Sequence, residues 1–162
     1  MKKSAIILAA FLIFYGCSDS GKNNKIDEAQ ITAPSNTVEE LTVKAGLEML
    51  QTNCYACHNP NTTSHDEMLA PPLAGIKNRY KNAHTSREEF IAAMSDFISM
   101  PTEEKALMKG PINRFGLMPK PPLSKKEDIE ALVSFIYDNP IETPEWFAEH
   151  YKEQYGEEWK EQ

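Results

Sequence analysis

Cys54-Tyr55-Ala56-Cys57-His58 puts two thiols and an imidazole within one short run, and any fold of this chain has to give them a use. Cysteines at this spacing suit a redox disulfide, half of a zinc site, or two thioether links to the vinyl groups of a haem whose iron takes the adjoining imidazole. A thioredoxin-like disulfide wants a strand before the pair and a sheet behind it, and neither is signalled. A zinc site could recruit His58 and His65, but a finger or ribbon wants a second cysteine pair. The chain has 3 cysteines, and the third, Cys17, stands far away. The pattern points instead to one covalent haem c, bonded to Cys54 and Cys57 and ligated by His58.

Around this run the chain reads as all-α. Val38, Leu41, Ala45 and Met49 recur at three- and four-residue spacing and predict a helix from Thr37 or Val38 to Thr52. Gly46 within it is either tolerated at some cost or lets another helix come close. From His58 to Tyr80 the text is loop-like, with Asn59-Pro60 and Pro71-Pro72. Ser86 and Glu89 form a capping-box pattern opening a helix with Phe90, Ile91, Met94, Phe97 and Ile98, which Pro101 ends. Thr102 is placed to cap a short helix through Met108, before a break at Gly110-Pro111. Ser124 and Glu127 repeat the capping pattern ahead of an apolar stripe of Ile129, Leu132, Val133, Ile136 and Tyr137, stopping near Asn139-Pro140. Thr143-Pro144 predicts the start of a terminal helix, and Trp146, Phe147, His150 and Tyr151 can bind that extension to the domain. No segment alternates as a strand would. Connections this long would weaken a self-supporting helical domain. They fit a chain wrapped around a large apolar cofactor that completes its core.

Over residues 37–139 the chain resembles the small monohaem cytochrome c family. Cys54, Cys57 and His58 carry the resemblance, together with Pro71-Pro72-Leu73-Ala74-Gly75 and Met118-Pro119 ahead of the Ser124 helix. The resemblance implies a compact helical domain around the haem in which the first and last helices cross, so that Leu47 or Leu50 faces Val133 or Tyr137. It implies that Pro71 offers its carbonyl to the ring N–H of His58, fixing the imidazole and strengthening its donation. It also implies Met118 as sixth ligand, a soft thioether that raises the reduction potential. Met100-Pro101, also at a helix end, is the alternative, whereas Met94 and Met108 fit apolar helical faces. His65, His84 and His150 are the other side chains able to ligate iron, and a bis-histidine iron would favour a lower potential. Leu50, Tyr55, Leu73, Ile76, Tyr80 and Leu117 are candidates to shield the haem edges, and Arg79, Tyr80 and Arg114 to meet a propionate.

The two ends have separate tasks. Lys2 and Lys3 precede an apolar run from Ala5 to Tyr15, the form of an export signal and too short for a comfortable membrane span. Phe14-Tyr15-Gly16-Cys17 resembles the lipobox of bacterial lipoproteins, although Phe14 and Tyr15 replace smaller residues. That resemblance implies a signal peptide at residues 1–16, cleavage before Cys17, acylation there, and a membrane tether over residues 17–36. The haem domain would then sit in the periplasm or at the cell surface. Residues 140–162 form an acidic helical extension. The formal net charge of -7 and the scattered lysines give no basic surface for nucleic acid. Single-electron transfer is the expected activity, with redox donor and acceptor proteins, membrane respiratory complexes among them, as partners. A haem peroxidase or oxygen-reducing subunit would need an open or displaceable sixth position. A haem-based redox or gas sensor would need a ligand-linked change at a partner interface.

Overall fold

The computed structural model describes residues 35–161; the expected export signal, Cys17 and nearly all of the expected tether lie outside them. Within that range the chain is all-α, with six helices and no strand. They are α1 (Ser35–Asn53), α2 (Leu73–Ala83), α3 (Arg87–Ser99), α4 (Lys109–Phe115), α5 (Lys126–Asp138) and α6 (Phe147–Tyr155), with a 3-10 turn at His65–Glu67. Among the described residues no helix is long and apolar enough to cross a membrane.

The core is built on α5, whose Ile129, Leu132, Val133 and Ile136 form one buried stripe. Leu132, Val133, Leu50 of α1 and Phe90 of α3 have no exposed surface. Burial of each such side chain contributes about 1.5–3 kcal/mol. α1 crosses α5 at Gly46, where an added Cβ would collide with the Phe135 ring. The close approach, not mere tolerance, explains the glycine. α3 runs along α5, with the Phe90 and Tyr137 rings edge to face at 5.0 Å.

Local signals account for most of the boundaries. Ser86 caps α3 with the full box: Glu89 N–H donates to Ser86 Oγ at 3.1 Å, and Glu89 Oε2 accepts from Ser86 N–H at 3.3 Å. The Ser124–Glu127 box does not form. α5 begins at Lys126 with no side-chain cap, which leaves Glu127 and Asp128 in its first turn, where they favour the helix dipole instead. The short helix expected from Thr102 to Met108 is also absent. Thr102 Oγ1 accepts from Lys105 N–H at 3.4 Å, but only a turn results. The helix forms one step later as α4, with Gly110-Pro111 in its first turn, where a missing N–H costs nothing. α6 starts at Phe147 rather than at Pro144, whose carbonyl accepts from Phe147 N–H at 3.0 Å in the turn before it. α2 falls in a stretch read as loop. Its Leu73, Ile76 and Tyr80 do recur at helical spacing, but Pro71-Pro72 and Gly75 hid them.

The extension packs back on the domain through Trp146, Phe147 and Tyr151. Phe147 is buried, its ring 4.9 Å from that of Trp159, and Tyr151 Oη accepts from Asn78 Nδ2 at 3.2 Å. Lys77, buried in α2, donates to the Asn139 carbonyl at 2.7 Å and satisfies the C-terminal end of α5.

Candidate functional site

The two-thiol run continues α1 by one tight turn. Cys54 N–H donates to Leu50 O at 2.9 Å, and the Cys57 and His58 amides donate to Cys54 O at 3.1 and 2.9 Å. This winding brings Cys54, Cys57 and His58 to the wall of one apolar cavity of about 330 Å³. α2 contributes Leu73, Ile76 and Tyr80; α3 contributes Met94, Phe97 and Ile98; α4 and the following loop contribute Phe115 and Met118 among others; α5 contributes Leu132 and Ile136. Leu69 and Leu117 also line it while remaining 69% and 40% exposed, so the cavity opens beside them.

His58 Nδ1 donates to the Pro71 carbonyl at 2.7 Å. That bond puts the ring proton on Nδ1 and leaves the Nε2 lone pair available. Burial pushes the His58 pKa down, with the Pro71 carbonyl pulling partly the other way, so the ring is neutral at pH 7. The Cys54 thiol is pushed up to about 11, chiefly by burial and then by Cys57 beside it. A redox CxxC lowers its thiol pKa, commonly at a helix N-terminus. This pair has the opposite setting, at the C-terminal end of α1, and no disulfide joins it.

The candidate iron ligands are sorted by the same cavity. Met118, Met94 and Met108 line it, whereas Met100 does not and is 58% exposed. His58 is the one histidine on its wall. His84 is the C-cap of α2, and His65 is stacked on His150 at 4.3 Å and edge-on to Trp146 at 5.7 Å. A zinc site pairing His65 with the cysteines therefore has no geometric basis, and among the described residues no cluster of three or more His, Cys, Asp or Glu is placed to hold a metal ion. Tyr80 lines the cavity and burial pushes its hydroxyl up to about 12. Arg114 is instead committed to the His65 carbonyl at 3.1 Å and to Asp66 at 3.4 Å. Leu50 and Tyr55 pack in the core cluster rather than at the cavity.

These residues fit a haem. Two thiols at vinyl-linking spacing, an imidazole with its second nitrogen already engaged, thioether sulfurs and aliphatic walls are the donors and surroundings that such a group takes. Sequence reasoning placed Met94 and Met108 in packing roles; the signal that they border the cavity lay in the long irregular connections, which had no core of their own to cover.

A protein of Aquifex aeolicus (strain VF5), described as uncharacterized, is 27% identical, over 67% of this chain and 82% of its own length. No solved structure matches at a significant level. The Cytochrome c family profile matches residues 43–139, a span that begins in α1 and ends just past α5. With that match spanning more than half of its length and enclosing the wall from Cys54 to Ile136, the chain belongs to the cytochrome c family.

Proposed function

We propose that this chain is a single-electron carrier holding one covalent haem through Cys54 and Cys57, with His58 and Met118 as axial ligands. Family membership supports haem binding and electron transfer; the attachment and ligand assignments are the present reading. The observation that carries it is the convergence of both thiols, the engaged imidazole and Met118 on one apolar cavity.

When bound, a haem supplies an iron that alternates between ferric and ferrous states, one electron per cycle. The chain has to keep that change small. Pro71 holds the His58 ring in one orientation and enriches its donation. The apolar walls exclude water, which limits reorganisation as charge changes. The partner, a redox donor or acceptor protein such as a respiratory complex, would approach where Leu69 and Leu117 flank the opening. Acylation at Cys17, after cleavage of residues 1–16, would tether the 37–139 domain to a membrane in the periplasm or at the cell surface, with 140–162 as its appended extension.

A peroxidase or ligand sensor would require Met118 to leave. Among the described residues, no hydrogen bond ties 117–124 to the rest of the protein, which is the feature that favours such a reading. Absorbance spectra and redox titration of the haem-loaded protein with Met118→Ala separate the cases. The carrier loses its methionine-to-ferric-iron band on substitution and consumes no peroxide beforehand. An unchanged band rejects Met118, and sustained peroxide turnover by the unmodified protein rejects the carrier.

A further inference from the structure

We propose that Trp146 and Phe147 of the C-terminal extension are positioning residues for His58, gripping the segment on either side of Pro71 so that its carbonyl stays on Nδ1. The proposal rests on the reading of His58 as an iron ligand.

Pro71 leads directly into α2, and α2 is covered on two sides. Leu73, Ile76 and Tyr80 border the cavity. Ala74, Lys77 and Asn78 share a different face, at i, i+3 and i+4, and are buried as well. What covers that face is the chain beyond α5: Asn139 takes Lys77, and Tyr151 takes Asn78. Phe147 lies against Gly75, its Cζ 3.4 Å from where a Cβ would stand. Upstream of Pro71, Trp146 Nε1 donates to the Thr62 carbonyl at 2.9 Å. Apart from turns within the segment, its other hydrogen-bond ties are those of Arg114 to His65 and Asp66, and His58 itself. The extension thus touches the chain at Thr62 and at Gly75, on the two sides in sequence of the residue whose carbonyl meets the imidazole.

A firm Nδ1–H···O bond strengthens imidazole donation and favours ferric iron. Slackening it should raise the midpoint potential without detaching the haem. The full-length, haem-loaded protein is compared with Trp146→Phe, which keeps the ring and loses the donor, with Phe147→Ala, and with the conservative Phe147→Leu. Redox titration should show a higher midpoint for Trp146→Phe and Phe147→Ala and a return toward the original value for Phe147→Leu. Hydrogen exchange should show protection of the Ile76 amide, in the first turn of α2, falling about tenfold in the first two variants, in both haem-loaded and haem-free chains.

Variants that keep their haem, lose stability and leave potential and Ile76 protection unmoved overturn the proposal. If Phe147→Ala does not fold, Trp146→Phe decides alone. If the unmodified chain acquires no covalent haem, the ligand reading fails instead. Exchange in the haem-free chain then still decides whether Trp146 and Phe147 hold the Pro71 segment, and unchanged protection overturns that too.

Discussion

The wall of the cavity that carries His58 and the wall that carries Met118 are built on different plans. His58 extends a helix, is hydrogen-bonded through Nδ1, and faces a helix that is itself packed on two sides. Met118 lies in a loop that follows Gly116 with φ 81 and contains Pro119, Pro121 and Pro122, and over 117–124 it has no hydrogen bond to the rest of the described residues. One donor belongs to the scaffold before any cofactor arrives. The other depends on apolar packing and on whatever bond its sulfur makes. Under the ligation proposed above, such a division would suit a site in which His58 stays fixed while Met118 tunes the potential.

The sharpest way to break this contrast is to remove a linkage from each side. Cys54→Ser combined with Cys57→Ser is expected to abolish haem that survives denaturation, an all-or-none loss on a haem-stained denaturing gel, while Met118→Ala keeps it. Equal loss in both would mean that the walls are not different in kind. Next in size, Met118→Ala is expected to lower the midpoint potential by on the order of 0.1 V, within the roughly 0.8 V range that axial ligands span. Met100→Ala, at an exposed position off the cavity, is expected to leave it unchanged in the same redox titration.

The contrast also explains what was legible in the sequence. α3 and α5 each bury one face, so their apolar spacing survives in the text, and Ser86–Glu89 marks a boundary that forms as read, whereas α1 buries Leu50 and leaves Ala45 of its expected stripe exposed. α2 buries two faces, one of them with Ala74, Lys77 and Asn78, so no clean stripe announces it. α4 was lost because Gly110-Pro111 reads as a break anywhere except in a first turn. The thiols and the imidazole were legible because their chemistry is local. The partnership of His58 with Pro71 spans 13 residues and was visible only through the family resemblance. The grip of Trp146 on Thr62 spans 84 and left no mark in the sequence beyond aromatic residues in an acidic tail.

Smaller effects test the scaffold behind the His58 wall. Gly46→Ala drives a methyl into Phe135 where α1 crosses α5, and is expected to cost about 1–3 kcal/mol in urea unfolding. Pairing it with Phe135→Leu should recover part of that loss. Weakest of all is the Arg87–Asp138 pair joining α3 to α5, with Arg87 Nε 2.9 Å from Asp138 Oδ1. The guanidinium holds the Asp138 carboxyl below its usual range, but both side chains are substantially exposed. Asp138→Asn is therefore expected to cost only a few tenths of a kcal/mol. Because the native pKa is depressed, the contribution is complete above the ordinary carboxylate range and fades as pH falls through the native value. Stability of the variant should accordingly fall less steeply in acid.

The proposed carrier role requires a haem bonded to both thiols beside His58. Intact and peptide mass spectrometry of the chain, produced in a host competent for haem attachment, measures this directly. One haem per chain is expected, retained after denaturation and located on the peptide containing Cys54 and Cys57. Unmodified cysteines there, or a disulfide between them, would contradict it.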